Sequence, residues 1–249
     1  MDVEKALKRA LGGGLAAMRT VMNYQYKNGG SARGTFHLLY NEGGIRRFYR
    51  GVAPALLQGP LSRFGDTAAN AGVLALLGSS PVTNDLPVAV KTVFASFASA
   101  SFRIFLTPID TVKTILQTTG KEGLTVLRQR IKVNGPTTLW YGALASATAT
   151  FVGHYPWFAT YNYMQENLPQ FGNKLQHKLA RNAVIGFTAS ITSDCISNSV
   201  RVVKTYRQTH SVKVSYPQAV KDVIAKDGVI GLFGRGLQTR ILANGLQGE

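Results

Sequence analysis

Cysteine and histidine are scarce in this sequence of 249 residues. The single cysteine, Cys195, excludes an intrachain disulfide. The four histidines, at positions 37, 154, 177 and 210, are too scattered to indicate a metal site. The glycines form no phosphate-cradling motif of the P-loop type. We therefore predict no metal site, no catalytic group and no cofactor, and so a protein that is not an enzyme.

Acidic residues are also few. The sequence has 12 Asp and Glu against 28 Lys and Arg, which gives a formal net charge of +16. Mean hydropathy is only +0.02. Average composition is therefore that of a basic soluble protein, for instance a nucleic-acid binder. The distribution of the charges argues against that class.

Long stretches of the chain carry no Asp, Glu, Lys or Arg. One of them, 142–165, has 24 residues, and about 20 residues of helix cross the hydrocarbon core of a bilayer. Further uncharged stretches cover 67–84, 92–102 and 182–193. Their polar side chains suit a bundle around a water-filled cavity better than helices that face lipid on all sides. We therefore predict an integral membrane protein with no nucleic-acid partner.

A proline, Pro108, interrupts a long apolar run that is typical of a helix. Proline lacks an amide proton and crowds the preceding turn, so the helix bends there. Asp110, Lys113 and Gln117 follow at helical spacing and share about one face. Charges at a bend of a membrane helix are costly unless they face water or each other. The alternative is a kinked helix with a surface ion pair.

Similar features recur along the chain. The basic residues Arg19, Lys113 and Lys204 are 94 and 91 residues apart. Each is followed four residues later by an amide, and about 30 residues later by an aromatic segment ending in glycine. These are Asn23, Gln117 and Gln208, then Gly51, Gly142 and Gly236. A period of this kind indicates an internal structural repeat.

Each unit predicts a long helix, a short surface helix, a turn and a second long helix. The long helices are predicted at 5–27, 53–78, 86–118, 138–168, 174–208 and 232–249, and the short ones at 32–40, 122–133 and 216–226. The fold class is therefore all-α: a membrane six-helix bundle of three pseudo-symmetric two-helix repeats with short surface helices. The repeats, about 1–80, 81–170 and 171–249, form a single domain. Residues 236–249 cover about 21 Å as helix, against a hydrocarbon core of about 30 Å, so we expect a truncated sixth helix.

These residues resemble the mitochondrial carrier family. Its signature is P-x-[DE]-x-x-[KR], then a distant acid-glycine turn and an aromatic-[KR]-glycine, three times over. The second unit matches the signature at Pro108, Asp110, Lys113 and Gln117. The third unit keeps Lys204 and Gln208 but has Ser199 for the proline and Arg201 for the acid. The first keeps Arg19, with Gly14 and Ala16 in the other two places.

The resemblance implies a carrier in the mitochondrial inner membrane, or in another organelle membrane, that moves a small metabolite by alternating access. The excess of Arg and Lys favours an anion. In the family, the acid of one unit pairs with the base of the next and closes the matrix side, and a glutamine braces the pair. Only Asp110 with Lys204 keeps that complementarity. Arg19 would face Arg201, Lys113 would face Ala16, and the places of the family's second network hold no charge.

The even-numbered helices line the cavity in this family, so their polar residues are the expected substrate-binding residues. They are Gln58, Arg63, His154, Arg240 and Asn244. Two alternatives stay open. His154 could instead bond a backbone carbonyl at the Pro156 break, and Arg63 and Arg103 could extend to lipid headgroups.

The expected partners are a small-molecule substrate and membrane lipid such as cardiolipin. Backbone amides and flanking cations at the glycine turns would bind the lipid phosphates. We expect a monomer. A competing hypothesis is a carrier-like membrane scaffold or partner-binding protein that no longer transports, because gate charges are missing.

Overall fold

The computed structural model describes residues 3–169 and 175–247, and within these ranges it contains helices and no β-strand. The described helices range from 4 residues in α4 to 35 residues in α8. In chain order they are α1 (Val3–Asn28), α2 (Ala32–Phe48), α3 (Val52–Gly78), α4 (Pro81–Asn84), α5 (Val88–Thr118), α6 (Lys121–Asn134), α7 (Ala143–Asn167), α8 (Leu175–Thr209), α9 (Tyr216–Gly234) and α10 (Leu237–Gln247). A short 3-10 helix, Pro136–Trp140, precedes α7.

The six predicted long helices are present as α1, α3, α5, α7, α8 and α10. Two of them begin five residues later than predicted, α7 at Ala143 and α10 at Leu237. The reason is a glycine with left-handed backbone directly before each, Gly142 at φ 91° and Gly236 at φ 68°. Such a residue ends one helix and starts another in a new direction. The predicted ends at 174 and 249 lie outside the described residues.

The short surface helices α2, α6 and α9 begin within one residue of the predicted positions. Two of them continue past the predicted end after a sharp bend, at Gly43 and Gly44 in α2 and at Gly228 in α9. The backbone of these glycines is not helical, so each helix has two segments with different directions. In the second unit, the 3-10 helix takes the place of the second segment.

The long helices pack closely through small residues. Helix α7 lies along α8, where Ser193 Oγ donates to the carbonyl of Gly153 at 2.7 Å. Helix α3 packs on α5, with Gly65 directly against the Phe102 ring. Helix α10 contacts both α1 and α8, so the third unit touches the first. Within the described residues, no helix has a continuous apolar segment of the length and hydropathy expected for a membrane span.

Equivalent contacts relate the first unit to the second. Thr20 Oγ1 donates to the carbonyl of Phe48 at 2.7 Å, and Thr111 Oγ1 donates to the carbonyl of Leu139 at 2.8 Å. Both carbonyls lie three residues before the glycine that starts the unit's second long helix. The interval between the units is therefore 91 residues (111 − 20).

This interval corrects the predicted register of the first unit by three residues. Arg19 stands where the second unit has Asp110, and Met22 stands where it has Lys113. The contacts of the three glycines agree. A Cβ on Gly51 would meet the Lys113 carbonyl and Gln117, one on Gly142 would meet the Lys204 carbonyl and Gln208, and one on Gly236 would meet the Met22 carbonyl and Tyr26. The counterparts of Asp110 are therefore Arg19 and Arg201, both arginines.

Three buried arginines join each unit to the next. Their exposures are 1% for Arg47, 6% for Arg130 and 5% for Arg235. Each donates to carbonyls at the C-terminal end of a first long helix of another unit: Arg47 to Gln117 at 2.9 Å and Thr118 at 3.1 Å, Arg130 to His210 at 2.7 Å, and Arg235 to Lys27 at 3.2 Å. These carbonyls lack partners inside their own helices, and a cation there also suits the helix dipole.

Candidate functional site

A cavity of about 840 Å³ lies between the long helices. All five residues predicted to bind substrate line it, together with most of the signature residues. The predicted substrate residues are Gln58, Arg63, His154, Arg240 and Asn244. The lining signature residues are Arg19, Asp110, Lys113, Gln117 and Lys204. Pro108 lies within α5. Gln208 is fully buried, and its side chain lies against Asp110 and Thr111.

Asp110 is the centre of the signature end of the cavity, which we define by Asp110, Lys113 and Lys204. Its Oδ1 lies 2.8 Å from Lys113 Nζ, and its Oδ2 lies 2.5 Å from Lys204 Nζ. Asp110 is only 4% exposed. The structure thus brings together the one complementary pair expected from the signatures, Asp110 and Lys204, and adds Lys113 to it.

Three amides brace this carboxylate and the helices around it. Gln58 Nε2 donates to Asp110 Oδ1 at 2.9 Å, and Gln58 Oε1 accepts a short hydrogen bond from Lys113. Gln208 Nε2 donates to Thr111 Oγ1 at 3.2 Å and reaches Asp110 at 3.4 Å. Gln117 accepts from Asn23 at 2.6 Å. Gln58, predicted as a substrate residue, therefore lies within the ion-pair network at the signature end.

A second polar cluster joins α3 to α5. Arg103 Nη2 lies 2.6 Å from Asp66 Oδ2, and Arg103 Nη1 donates to Ser62 Oγ at 3.0 Å. The Ser99 hydroxyl donates a short hydrogen bond to the same carboxylate. Arg103 thus binds Asp66 at the cavity wall and not a lipid headgroup, which settles one of the alternatives left open by its sequence position.

A third cluster joins α8 to α10. Asp194 accepts from Arg240 Nε at 2.5 Å through Oδ1 and from Asn244 Nδ2 at 2.6 Å through Oδ2. Asp194 is 3% exposed. Seven residues further along α8 than Asp194, about two helical turns, Arg201 Nε donates to Ser197 Oγ at 3.2 Å. Arg240 and Asn244 are therefore both held against a buried acid.

His154 and a group of aromatic rings form the wall on α7. His154 Nδ1 lies 3.3 Å from Ser96 Oγ on α5. This contact is with a side-chain hydroxyl and differs from the backbone bond considered as an alternative. Trp157 stacks on Tyr161 with ring centroids 5.0 Å apart and meets Phe158 edge to face at 5.0 Å. Its indole nitrogen donates to Ser190 Oγ on α8 at 3.3 Å.

Positive charge dominates the cavity wall. Seven Lys and Arg side chains line it, against two carboxylates, those of Asp66 and Asp110. The cations are Arg19, Arg63, Arg103, Lys113, Arg201, Lys204 and Arg240. Such a surface attracts anions and focuses their approach. Within the described residues, no group of His, Cys, Asp or Glu is arranged to hold a metal ion.

A separate basic and aromatic group lies outside the cavity, where α6 meets the end of α8. Three cations surround the Tyr141 ring, Arg130 at 5.2 Å, Lys213 at 5.6 Å and Arg207 at 5.7 Å from its centroid. These distances are typical of cation–π contacts. Burial lowers the pKa of the Arg130 guanidinium from its usual value.

Two acids of these clusters, the half-buried Asp66 and the buried Asp194, were missed by sequence reasoning. Each has a basic partner on a different helix, Arg103 and Arg240, 37 and 46 residues away. No sequence spacing reveals such a pair. The available signal was the rarity of acids, because an Asp in an apolar helix is costly unless it is paired.

Six long helices in three related units, around a polar cavity with an ion-pair network at one end, define a carrier-type membrane bundle. The family profile described as mitochondrial carrier protein matches residues 84–172 and 175–248. The chain belongs to the mitochondrial carrier family. This confirms the predicted resemblance and the all-α carrier fold. It also confirms the predictions that the protein is a carrier and not an enzyme, and that it belongs to the mitochondrial inner membrane.

Three relatives give the level of similarity. The mitochondrial RNA-splicing protein MRS3 of Saccharomyces cerevisiae is 22% identical over 153 residues, covering 59% of this chain and 48% of the relative. Mitochondrial substrate carrier family protein H of Dictyostelium discoideum is 27% identical over 143 residues, covering 53% and 38%. The mitochondrial glycine transporter of Candida glabrata is 29% identical over 148 residues, covering 53% and 49%. The matched regions span about half or less of these relatives' lengths.

Proposed function

We propose that the chain transports a small anionic metabolite across the mitochondrial inner membrane by alternating access. The observation that carries the proposal is the cavity wall, where seven Lys and Arg side chains stand against two carboxylates. A cavity of about 840 Å³ holds a metabolite of ordinary size. The family assignment supports a carried small molecule, and the charge supports an anion.

In this proposal, the Asp110–Lys204 ion pair is part of the gate. It joins α5 to α8 at the signature end of the cavity, so it must break when that end opens. Arg240, Asn244 and His154, with Arg63 and Gln58, are the proposed substrate contacts, and the three units form one carrier domain. We also propose a monomer, with membrane lipid such as cardiolipin at the glycine turns.

The test is uptake by liposomes that contain the purified chain. We expect uptake of a radiolabelled anion, screened as inorganic phosphate, short carboxylates and acidic amino acids, in exchange for internal unlabelled solute. Asp110→Asn should abolish most of it, whereas Lys132→Gln, a change of an exposed residue on α6, should leave it intact. Uptake of a cation or neutral solute alone would overturn the choice of an anion.

A transport-deficient scaffold is the second candidate. It is favoured by the arginines at two of the three acid positions, Arg19 and Arg201, which leave Asp110 as the acid of the signature network. The same liposomes decide between the two. A folded chain with no uptake of any solute, and no thermal stabilisation by any of them, would favour the scaffold.

A further inference from the structure

Arg201 stands in the third unit where Asp110 stands in the second, 91 residues (201 − 110) further along the chain. It lines the cavity and is half-buried. Among the described residues it makes one hydrogen bond, from Nε to Ser197 Oγ, and no carboxylate lies within 4 Å of it. The two terminal nitrogens, Nη1 and Nη2, thus have no acceptor in the part of the chain that the structure describes.

Other charged groups surround Arg201. It interacts electrostatically with Arg240 and Arg103 on two neighbouring helices, and with Lys204 one turn further along α8. The nearby acid Asp194 already accepts from Arg240 and Asn244, one on each oxygen. Arg201 therefore lies within electrostatic range of Lys204 at the signature end and of Arg103 and Arg240 in the other two clusters.

The charges at the signature end do not balance. With Arg201 added to this end, three cations, Lys113, Lys204 and Arg201, stand against the carboxylate of Asp110, which is an excess of two positive charges (3 − 1). Arg19, at the equivalent position of the first unit, adds a further cation to the cavity wall. Like charges in a partly buried site repel one another, and the cost rises as water is excluded. Closing this end of the cavity without a counter-charge is therefore unfavourable.

We propose that the Arg201 guanidinium binds an oxyanion of the ligand, and that the ligand supplies at this position the negative charge that Asp110 supplies in the second unit. The planar guanidinium matches a carboxylate or phosphate with two parallel hydrogen bonds. An excess of two charges favours a doubly charged oxyanion, such as a phosphate or a dicarboxylate. The signature end then closes fully only with ligand bound.

The proposal rests on the proposed function in one respect, since it takes the bound anion to be the carried solute. Its binding step can be tested without transport. The probe is inorganic phosphate, titrated into the purified 249-residue protein in a neutral detergent without added lipid. Sodium chloride of equal ionic strength is the reference, and the measurement is the thermal unfolding midpoint.

Four variants isolate the guanidinium. Arg201→Gln removes the charge, Arg201→Lys keeps the charge without the planar fork, and Arg201→Asp installs the acid found in the second unit. Arg128→Gln is the matched control, because Arg128 is an exposed arginine on the surface helix α6. Comparing the three changes at one position separates a loss of binding from a loss of folding.

We expect phosphate to stabilise the wild type and Arg128→Gln alike. Arg201→Gln should weaken the apparent phosphate affinity about ten-fold or more, and Arg201→Lys should fall between the two. Arg201→Asp should lose the phosphate response, and without phosphate it should unfold at a higher temperature than Arg201→Gln. A phosphate response that Arg201→Gln leaves unchanged, or an Arg201→Asp variant less stable than Arg201→Gln, overturns the proposal.

Two further measurements, with added cardiolipin and with liposome uptake, distinguish a failure of the Arg201 site from a failure of the proposed transport. If added cardiolipin gives the same Arg201-dependent stabilisation and phosphate does not, the ligand is a lipid headgroup and the proposal falls. If phosphate binds through Arg201 but liposomes show no uptake, the anion site stands and transport falls. If liposomes take up an anion and Arg201→Gln changes neither uptake nor phosphate binding, transport stands and the Arg201 site falls.

Discussion

Asp110 connects three helices through side chains alone. Its own helix α5 contributes Lys113, α8 contributes Lys204 and Gln208, and α3 contributes Gln58. A buried carboxylate is costly without a cationic partner, so each of the two lysines stabilises it. Removing the carboxylate also leaves two ammonium groups facing each other, which is worse than losing either lysine.

The first prediction concerns this asymmetry. Asp110→Asn should lower the free energy of unfolding by about 3–5 kcal/mol, and Lys204→Gln should lower it less, because Asp110 keeps Lys113. The double variant should be more stable than the sum of the two single effects predicts, which is the sign of direct coupling. Thermal or denaturant unfolding of the four proteins in detergent measures it.

Lys132→Gln serves as the control for the loss of a lysine charge, because Lys132 is exposed and should have an effect within about 0.5 kcal/mol. Additive effects of the two signature changes would show that Asp110 and Lys204 do not act as a pair, whatever their distance.

At the scale of the helix, the ends of α1, α5 and α8 depend on arginines from other units. Arg47 and Arg235 also have acidic partners, Glu42 at 2.8 Å and Asp227 at 2.7 Å. Arg130 differs, because it contacts the Tyr141 ring and, among the described residues, forms no ion pair. Its link to the end of α8 is therefore made by hydrogen bonds alone, from Nη1 to the carbonyls of Gln208 at 3.3 Å and His210 at 2.7 Å.

The second prediction tests that link. Arg130→Gln should lower the free energy of unfolding by about 1–3 kcal/mol, because it removes a charged donor from the buried carbonyls at the end of α8. Arg130→Lys should recover little of this, since an ammonium group cannot reproduce the planar contact with Tyr141. Arg128→Gln, two residues away on the exposed side of α6, should be close to neutral. Equal effects at the two positions would show that α6 contributes only surface charge.

The helices themselves could be predicted from the sequence because their boundaries are local. The turn residues and the charge-free runs place the helices to within a few residues, although α7 and α10 begin five residues later than predicted, directly after Gly142 and Gly236. The register of the first unit could not be predicted from charge alone. Its charge alone matches Arg19 to Lys113, whereas the hydrogen bond of the Thr20 hydroxyl shows that Arg19 corresponds to Asp110. The pairs of Asp66 with Arg103 and Asp194 with Arg240 depend on how helices pack, which no spacing in the chain encodes.

At the scale of the whole molecule, the placement of apolar and charged side chains is the reverse of that in a soluble basic protein. Large apolar side chains are exposed around the outside of the bundle, including Leu56, Phe64, Phe97 and Phe105. Nine charged side chains of the long helices line the cavity instead. Exposed apolar surface of this extent is the side that faces lipid in a membrane bundle.

The third prediction follows from that distribution. The chain, expressed in yeast, should stay in the membrane pellet of mitochondria after washing with alkaline carbonate. Peripheral proteins held by charge are released by this treatment, and a net charge of +16 makes such adsorption a necessary comparison. A peripheral inner-membrane protein in the same preparation is the control. Recovery of the chain in the supernatant would contradict a membrane bundle.

The stacked rings on α7 include Trp157, whose fluorescence can report on ligand binding in the cavity. The chain has two tryptophans. Trp157 lines the cavity, whereas Trp140 lies at the surface in the 3-10 helix and is 41% exposed. An anion entering beside Trp157 changes the polarity around its indole, so the emission of the unlabelled protein should shift as ligand is added. Trp140→Phe should keep this shift, and Trp157→Phe should remove it. A shift that survives in Trp157→Phe would place the ligand outside this part of the cavity.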